Sequence, residues 1–423
     1  MLVLIPAYKP DTSLLTLVEN LAETAKERGQ AVHLLVVDDG SGADYQPIFE
    51  QLPRLTSISS TPSLARSFET PGLHNVSVLT QPENLGKGAA LRAGLAWAAE
   101  YYPAEVTVTA DADGQHLPED ILIVGQATNL ASSGASLAEQ KKLVLGVRTI
   151  TDPAAPEQKV PLRSRVGNSL TALLFRLSTG ANLADTQTGL RGFTPVARDW
   201  ALTLPGNRYE YEFTMLLRAT RFGFGFTQVP ITKVYEPGNP SSHFKPVQDS
   251  LRIYAPLLGF LAASFSGFII DTVMLMLLVA LGTPLLVAAV GARVSSALGN
   301  FALNRLLMHD GAPRPTAGVS LMRYGVLAVL LLGANAGALE LLTYLGLPLL
   351  VAKVLVELAL VPVSFAAQRR WVFADRQALA SLAPGSAGRT AGSGYPAAAA
   401  PDVRAQQLAA VENRCEAGVI NGF

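Results

Sequence analysis

The sequence predicts an α/β, Rossmann-like domain with a mostly parallel sheet, followed by an all-α membrane domain of four helices. Two observations lead to this fold class. Up to about residue 250, short apolar runs rich in Val and Leu alternate with helix-like stretches, and these runs lack the strict alternation of a half-exposed strand. From Leu257 onward the apolar runs become much longer and nearly uncharged. We therefore divide the chain into a first domain, 1–250, a membrane domain, 251–375, and a tail, 376–423.

Five short apolar runs in the first domain have the length of strands buried on both faces of a sheet. They comprise residues 2–5, 33–37, 76–79, 106–109 and 143–147. Helices are predicted over 12–28, 87–101 and 118–131, and the last of these has Pro118 in its first turn. Residues 41–75 are rich in Ser, Thr and Pro and predict a long surface excursion. This alternation is typical of an open α/β sheet, in which ligands bind at the carboxyl ends of the strands.

Four long apolar runs follow, at 257–281, 285–307, 325–347 and 349–367. Each approaches or reaches the roughly 20 residues that a helix needs to span the hydrocarbon of a bilayer. Basic residues collect on one side of these runs, at Arg252, Arg305, Arg314, Arg323, Arg369, Arg370 and Arg376. Because positive charge stays inside, we expect an inner-membrane protein with the first domain and both termini in the cytoplasm. The tail is rich in Ala, Gly, Ser and Pro, and we expect it to be disordered.

The charge and cysteine content exclude two classes of protein. The 33 Lys and Arg residues balance the 33 Asp and Glu residues, whereas a general nucleic-acid binder would need a basic face. The single cysteine, Cys415, excludes an intramolecular disulfide framework and a Cys-rich metal site.

The sharpest motif runs from Thr109 to Gln115 and places Asp111 and Asp113 directly after a predicted strand. Side chains at positions i and i+2 of an extended chain point the same way, and Gln115 continues that row. Carboxylate and amide oxygens suit Mg²⁺ or Mn²⁺, which also bind diphosphate oxygens. The motif is also compatible with a polar turn that caps the next helix.

Two neighbouring strands end in groups that could bind a nucleotide. Asp38 and Asp39 end the second strand and could contact a ribose or a base edge, and Tyr8 ends the first strand and could stack on a base. Three strands therefore finish in polar or aromatic groups on one edge of the sheet. Together they predict a nucleotide-diphosphate site.

At these residues the sequence resembles the family 2 glycosyltransferases, and among them the dolichol-phosphate-mannose and polyprenyl-phosphate-sugar synthases. The resemblance covers about 1–250. It is carried by Pro6-Ala-Tyr8, Asp38-Asp-Gly-Ser41, Asn84-Leu-Gly-Lys-Gly88, Asp111-Ala-Asp-Gly-Gln115, Gly146-Val-Arg148 and Asp185-Thr-Gln-Thr-Gly-Leu-Arg-Gly-Phe193.

The resemblance implies the GT-A fold and a set of site residues. Asp111, Asp113 and Gln115 would hold the metal. The nucleotide would be bound by Pro6, Tyr8, Asp38, Asp39, Lys87 and Ala112. Arg148 would contact the diphosphate or the acceptor phosphate, and the catalytic set would comprise Asp111, Asp113, Arg148 and Asp185.

Two positions beside these motifs are less regular. Lys9-Pro10-Asp11 follows Tyr8 where the family often has Asn-Glu, so Asp11 is a candidate substitute for that acid. His116, next to Gln115, is expected to be exposed, with an outer-shell role as the alternative.

Basic residues before the first membrane run are candidates for the acceptor phosphate. Lys233, His243 and Lys245 surround a Gly/Pro/Ser turn and, with Arg148, could hold a lipid phosphate at the membrane surface. Ordinary juxtamembrane charge is the alternative interpretation. Residues 163–179 combine arginines with leucines, and this helix could lie on the bilayer or pack within the protein.

Ionisable residues inside the membrane runs predict a functional role, because a charged side chain in hydrocarbon is energetically unfavourable. Asp271, Arg293, Lys353 and Glu357 are such residues, and Lys353 and Glu357 have the spacing of an i,i+4 pair. A polar stripe along the second run comprises Arg293, Ser296, Asn300 and Asn304.

The second half resembles the GtrA family of four-span proteins over about 257–374. The resemblance is carried by Ser266-Gly-Phe-Ile-Ile-Asp271, Asn300-Phe-Ala-Leu-Asn304 and Ser364-Phe-Ala-Ala-Gln-Arg-Arg-Trp-Val-Phe373. It implies a role in moving polyprenyl-phosphate sugars across the membrane. The alternative is a packing and anchoring role. Four spans around a polar path are also compatible with a homo-oligomer.

Together these patterns predict a metal-dependent transferase, and the resemblance to family 2 glycosyltransferases implies that it inverts the anomeric centre. It would move a sugar from a UDP or GDP donor to a polyprenyl phosphate, undecaprenyl phosphate if the host is bacterial. One alternative is an enzyme that extends a glycan or glycolipid, for which Asp185 or Glu210 would be the general base. Another is a lipid-sugar transporter whose first domain only senses the nucleotide sugar.

Overall fold

A computed structural model of the chain describes residues 1–55, 72–151, 162–233, 246–307 and 315–374. The predicted tail, with Cys415, and the predicted acceptor residues His243 and Lys245 lie outside these ranges. Residues 1–384 form one compact unit, so the first domain and the membrane helices are described together.

Seven strands form one sheet in the order β3-β2-β1-β4-β6-β5-β7. The strands are β1 (Leu2–Ala7), β2 (Ala31–Asp38), β3 (Gly72–Thr80), β4 (Thr107–Thr109), β5 (Lys142–Thr151), β6 (Arg191–Phe193) and β7 (Gly225–Lys233). All pairings are parallel except those of β6 with β4 and β5. The mostly parallel sheet and the five predicted strands are confirmed, whereas β6 and β7 were not predicted.

Eight helices accompany the sheet in the described residues up to 233. They are α1 (Ser13–Glu27), α2 (Gln46–Gln51), α3 (Lys87–Tyr101), α4 (Pro118–Ser132), α5 (Leu137–Gln140), α6 (Leu162–Thr179), α7 (Pro195–Ala201) and α8 (Glu210–Ala219). The three predicted helices correspond to α1, α3 and α4. Within the predicted excursion 41–75, the structure forms α2 and the start of β3, and residues 56–71 lie outside the described ranges.

Both faces of the sheet are covered, which explains why the strands are apolar without alternation. Val3 and Ile5 of β1 pack into a core with α1 and α4. Leu2 and Leu4 of the same strand pack on the opposite face, with α3, α7 and α8. Two helical layers therefore enclose the sheet and leave its strand ends available for a site.

Four helices follow: α9 (Pro246–Ala280), α10 (Leu285–Leu307), α11 (Ala317–Tyr344) and α12 (Leu349–Ala367). By length and hydropathy, three stretches of the described chain could cross a membrane: Leu257–Ala280, Leu285–Leu307 and Ala317–Tyr344. The helix α12 has the predicted bounds but is not among these three, so the count of four spans stays a prediction.

A third apolar core joins the first domain to the membrane helices. It brings Phe175 of α6 and Phe213 of α8 together with Phe260 of α9 and Phe365 of α12. The Phe260 and Phe365 rings meet edge to face, with centroids 5.4 Å apart. In the turn after α12, the Arg369 carbonyl accepts a hydrogen bond from Nη2 of Arg221 at 2.7 Å. The first domain thus packs directly against the membrane helices.

Candidate active site

The predicted site residues lie along one edge of the sheet. The strands β1, β2, β4 and β5 run in the same direction, so their carboxyl ends meet at this edge, and the loop 185–190 enters antiparallel β6 from the same side. Tyr8 follows β1, Asp38 ends β2, Asp111 follows β4 and Arg148 lies near the end of β5. The topology therefore gathers residues that are far apart in the sequence.

The carboxylate of Asp111 lies against two basic side chains. Its Oδ1 is 2.7 Å from Nζ of Lys87, and its Oδ2 is 3.4 Å from Nε2 of His116. Burial alone would raise the pKa of Asp111, but Lys87 and His116 outweigh burial and hold that pKa well below its ordinary value.

Asp113 behaves in the opposite way. Burial and the neighbouring Asp111 carboxylate raise the pKa of Asp113, although its Oδ1 accepts the Gln115 N–H at 3.1 Å. Neighbouring basic groups therefore compensate the negative charge of Asp111 more fully than that of Asp113.

Lys87 bridges Asp111 to a second acid, Glu212 of α8, at 2.9 Å. Burial alone would lower the pKa of Lys87, but the two carboxylates raise it above its ordinary value. Arg191, the first residue of β6 and 2% exposed, donates from Nη1 to the Glu212 carbonyl at 2.7 Å and from Nε to the Thr188 carbonyl at 2.9 Å. Side chains of alternating charge thus connect Arg191, in the sheet interior, to Asp111 through Glu212 and Lys87.

His116 is buried, with 4% of its surface exposed, so the prediction that it is exposed was wrong. In the described structure neither ring nitrogen has a hydrogen bond of acceptable geometry, although Nε2 faces Asp111.

Arg148 and Asp185 form a bidentate ion pair. Nε of Arg148 donates to Oδ2 of Asp185 at 2.6 Å, and Nη2 donates to Oδ1 at 3.1 Å. Asp185 also accepts the Gln187 N–H at 2.9 Å. Burial would raise the pKa of Asp185, but Arg148 lowers it, which keeps Asp185 ionised and makes it a poor general base.

The two acids at the end of β2 bind the backbone. Oδ1 of Asp38 accepts the Ser41 N–H at 2.8 Å, and Asp39 accepts the N–H groups of Leu85 and Gly86, each at 2.9 Å. Asp39 thereby fixes the loop that leads into Lys87. Their predicted contacts with a nucleotide, and those of Pro6, Tyr8 and Ala112, stay predictions.

Asp11 has a structural role at the start of α1. Its Oδ1 accepts the N–H of Ser13 at 2.8 Å, which forms an Asx turn where the chain enters the helix. The Ser13 hydroxyl in turn donates to the carbonyl of Ala112 at 3.3 Å. The start of α1 is thus connected to the acidic motif.

A cavity of about 420 Å³ is lined by Leu85, Gly206, Asn207, Arg208 and Glu210. The ring of Tyr209, next to Arg208 in the sequence, lies 5.9 Å from Nζ of Lys87. Oε1 of Glu210 accepts the N–H groups of Asn207 and Arg208 at the start of α8, whereas Oε2 has no hydrogen-bond partner among the described residues.

The predicted membrane residues divide into two groups. Arg293 lies 3.5 Å from Asp271, and the Arg293 side chain is 78% exposed. Ser296 donates to the Gly267 carbonyl at 2.7 Å, and Asn304, fully buried, donates to Asn300. The part of the stripe that contains Ser296 therefore packs against α9.

Three predicted residues have no described side chain. Lys233 ends β7, and Lys353 and Glu357 lie in α12, but the structure describes only their backbone. Their predicted roles stay predictions.

The acidic pair fits a divalent cation in three respects. A cationic group, Lys87, already contacts Asp111. Burial and the neighbouring Asp111 carboxylate raise the pKa of Asp113, and a bound cation would oppose both effects. Gly189 lies so close to Asp111 that a Cβ atom would overlap its Oδ2, so the missing side chain leaves that carboxylate accessible. Among the described residues, no group of three or more His, Cys, Asp or Glu side chains is placed to hold a metal ion, and the Gln115 amide as a third ligand stays a prediction.

The sequence analysis missed Glu212, Arg191 and Gly189. Arg191 and Gly189 lie within the stretch from Asp185 to Phe193, which was noted without a role for either residue. Glu212 follows Glu210 by two residues on α8, and only the packing of that helix against Lys87 indicates a function for it.

Comparison with known proteins matches two separate parts of the chain to two family models. Residues 2–125 match the model of glycosyl transferase family 2, and residues 259–373 match that of the GtrA/DPMS transmembrane domain. The chain is 29% identical over 233 residues to the UDP-N-acetylglucosamine–dolichyl-phosphate N-acetylglucosaminyltransferase of Methanococcus voltae, covering 55% of this chain and 84% of that protein.

Two further similarities are weaker. Over 119 residues the chain is 31% identical to the undecaprenyl-phosphate 4-deoxy-4-formamido-L-arabinose transferase of Sodalis glossinidius, covering 28% of this chain and 30% of that protein. The crystal structure of glucosyl-3-phosphoglycerate synthase from Mycobacterium tuberculosis with phosphoglyceric acid superposes with a TM-score of 0.38 at 15% identity, covering 61% of this chain and 77% of that chain.

Proposed function

Because the chain joins a family 2 glycosyltransferase domain to a GtrA/DPMS transmembrane domain, we propose that it transfers a sugar from a UDP or GDP donor to a polyprenyl phosphate. The observation that carries this proposal is the acidic pair Asp111–Asp113 flanked by Lys87 and Arg148 at one edge of the sheet. The acids suit a divalent cation and the basic groups suit phosphates. In a bacterial host the acceptor would be undecaprenyl phosphate.

The acceptor phosphate needs no general base. The second pKa of a phosphate monoester is about 6, so the nucleophilic oxygen is mostly ionised at neutral pH. It would attack the anomeric carbon opposite the leaving diphosphate, forming the new C–O bond as the old one breaks and inverting that carbon. Mg²⁺ or Mn²⁺ at Asp111, Asp113 and Gln115 would supply charge neutralisation for the leaving diphosphate.

Arg148 is suited to hold a phosphate beside the acids. Asp185 engages its Nε and Nη2 atoms, which fixes the guanidinium and leaves Nη1 outside that contact. The Arg148 side chain is 35% exposed. Positioning two anionic reactants against each other is the main task of such a site, and a fixed guanidinium performs it at little entropic cost.

The packing of α6 supports an acceptor that arrives from the membrane. This helix contributes Leu174 and Phe175 to the core shared with the membrane helices, while Leu170 and Leu173 are 42% and 51% exposed. Thr171 of α6 is hydrogen-bonded to Thr186, next to Asp185, at 3.0 Å. One helix therefore combines an exposed apolar face with a contact to the loop that holds Arg148.

The same packing supports an orientation with the first domain in the cytoplasm. The arginine-rich end of α12 contacts the first domain, since Arg221 binds the Arg369 carbonyl, and Arg323 of α11 binds the Trp371 carbonyl at that same end, at 3.0 Å. Positive charge favours the cytoplasmic side. The first domain would then be cytoplasmic, in an inner membrane, and the membrane helices would anchor it or translocate its product.

A second candidate function is extension of a glycan or glycolipid, in which the acceptor is a hydroxyl. It would need a general base, and Oε2 of Glu210, beside the cavity and without a hydrogen-bond partner among the described residues, is the specific observation in its favour. Asp185, the other predicted base, is held by Arg148.

One experiment separates these functions. The full chain in detergent is incubated with labelled UDP and GDP sugars, with Mn²⁺ or with EDTA, and with polyprenyl phosphate or a neutral glycolipid. We expect a labelled lipid phosphate that requires Mn²⁺, and at least a hundredfold slower formation by Asp113→Asn, because one ligand of the cation loses its charge.

Three other outcomes would contradict the proposal or one of its parts. Labelling of the glycolipid alone would favour the hydroxyl acceptor and overturn the proposal. Donor binding without turnover would favour a sensing domain attached to a transporter. Turnover by Asp113→Asn at the wild-type rate would refute the assignment of the cation site.

A further inference from the structure

Lys87 has two carboxylate partners at nearly equal distances. Its ammonium lies 2.7 Å from Oδ1 of Asp111 and 2.9 Å from Oε2 of Glu212, and its side chain is 18% exposed. Its backbone is firmly held, since Asp39 binds the preceding Gly86 N–H at 2.9 Å and the Ala89 N–H donates to the Asn207 carbonyl at 2.9 Å. The flexible part of this residue is therefore its four-carbon stem and not its position in the fold.

The two partners differ in how they are held. Glu212 is buried, and besides Lys87 it has the guanidinium of Arg191, whose Nε lies 4.0 Å from Oε1 and whose Nη1 binds the Glu212 carbonyl. Asp111 lies at the open edge of the sheet, with its side chain 28% exposed against 11% for Glu212. Glu212 is thus a permanent anchor for Lys87, whereas Asp111 is also accessible from outside.

A divalent cation and an ammonium compete for the same carboxylate. Both would contact Asp111, and like charges a few ångströms apart in a partly buried site repel each other strongly. Lys87 can leave Asp111 without becoming an isolated buried charge, because Glu212 remains. Removing one partner of a buried charge is otherwise costly.

We propose that Lys87 is a displaceable counter-cation of Asp111. It neutralises this carboxylate before the donor arrives and withdraws to Glu212 when a divalent cation binds Asp111, which leaves its ammonium available for the diphosphate of the donor. The inference rests on the proposed function, since it assumes that Asp111 binds the cation of a nucleotide-sugar complex.

The exchange couples cation binding to nucleotide binding. A cation alone must displace Lys87 from Asp111, whereas a cation that arrives with a diphosphate brings the anion that the displaced ammonium can contact. The diphosphate should therefore strengthen cation binding, and by linkage the cation should strengthen diphosphate binding equally.

The test measures Mn²⁺ affinity directly, from the electron paramagnetic resonance signal of free Mn²⁺, with the full chain in detergent and with or without UDP or GDP. We expect Lys87→Met to bind Mn²⁺ without nucleotide about tenfold more tightly than the wild type, because one neighbouring positive charge is gone. The strengthening by the diphosphate should shrink in the same variant.

Two further variants complete the design. Glu212→Gln removes the alternative anchor and should weaken Mn²⁺ binding, because Lys87 then stays on Asp111. Lys26→Met, on the exposed side of α1, should leave both affinities unchanged. If Lys87→Met misfolds, as judged by circular dichroism, Lys87→Gln replaces it, and Glu212→Gln tests the same exchange independently.

The outcomes distinguish this inference from the proposed function. Equal or weaker Mn²⁺ binding by Lys87→Met, or no Mn²⁺ binding by either protein, would overturn the counter-cation role even if the wild type transfers sugar. Tighter Mn²⁺ binding by Lys87→Met would support it even if polyprenyl phosphate proves not to be the acceptor.

Discussion

The absence of a side chain at Gly189 leaves room for the Asp111 carboxylate. A Cβ atom at position 189 would overlap Oδ2 of Asp111 and would lie 2.6 Å from Oδ1. The Gly189 carbonyl accepts a hydrogen bond from Oγ1 of Thr109 at 2.8 Å, which fixes the loop against the end of β4. The position of the first acid thus depends on the absence of a side chain from a distant part of the sequence.

We expect Gly189→Ala to displace Asp111 and to reduce kcat/KM for sugar transfer by roughly a hundredfold, since errors of about 1 Å in a catalytic group have effects of this size. Mn²⁺ affinity should fall with it. The measurements are initial rates and Mn²⁺ titrations on the full chain. Gly225→Ala is the matched control, because its Cβ would meet only Cγ of Lys142, at 4.0 Å. Wild-type rates in Gly189→Ala would contradict the proposed role of Asp111.

The residues of the candidate site differ in how far the sequence predicts them. Asp111, Asp113 and Gln115 were predictable because a polar triplet follows an apolar strand, and strand ends meet at one edge. Glu212 and Arg191 were not, because their contacts with Lys87 and the interior arise only when α8 and β6 are packed. His116 was misjudged, because an isolated histidine in a polar loop has no pattern that indicates burial.

Among the strands, β6 and β7 were the ones that the sequence did not predict. Three residues, Arg191–Phe193, are too few to form a recognisable pattern, and the antiparallel direction of β6 comes from the loop that precedes it. The strand β7 contains Pro230, which normally argues against a strand, but β7 lies at the sheet edge, where an unpaired position is tolerated. Longer apolar elements were predicted well because burial on both faces marks them.

The opposite end of the sheet carries an aromatic and histidine contact between elements. His33 of β2 packs against Tyr102, which follows α3, with ring centroids 4.6 Å apart, and against His74 of β3 at 5.8 Å. Nδ1 of His33 lies 3.3 Å from the Tyr102 hydroxyl. Burial lowers the pKa of His33 from 6.5 to about 4, and the proximity of His74 adds to this effect.

This shift predicts a pH dependence of stability. Between pH 6.5 and about 4 the unfolded chain binds a proton at His33 that the folded chain excludes, so the free energy of unfolding is at its full value above pH 6.5 and decreases as the pH falls through this window. We expect the thermal midpoint of the full chain in detergent to decrease less between pH 7 and pH 5 in His33→Gln than in the wild type. Parallel decreases in the two proteins would contradict this assignment.

At the scale of the whole molecule, the first domain and the membrane helices share a core. Phe301 of α10 contacts Tyr324 of α11 and Phe373 at centroid distances of 5.5 and 5.9 Å, and the same cluster includes Leu145 and Val147 of β5. The strand β5 also carries Arg148. Arg148 is thus one position away from the apolar core that reaches the membrane helices, so the candidate site and these helices are parts of one packed structure.

This packing bears on whether the membrane helices translocate the product or only anchor the enzyme. The Ser296 contact belongs to helix packing, because its buried hydroxyl donates to the Gly267 carbonyl of α9, and Asn304 is fully buried with a hydrogen bond to Asn300 of its own helix. Arg293 differs, since it is paired with Asp271 while remaining 78% exposed. An exposed cation within a membrane helix is costly unless it meets an anionic group. Asp271 is such a group, and a role of Arg293 in recognising an anionic lipid phosphate stays a prediction.

If the membrane domain translocates the lipid-linked sugar, Arg293→Leu should reduce the appearance of labelled sugar on the far side of proteoliposomes to the level of protein-free vesicles, while its synthesis continues. Asn300→Leu, which alters the contact with Gly267 on α9, should reduce translocation as well. Val294→Leu, at a neighbouring position that is 53% exposed, is the control and should behave like the wild type. Unchanged translocation in both Arg293→Leu and Asn300→Leu would leave anchoring as the role of these helices, because the polar stripe would then serve packing alone.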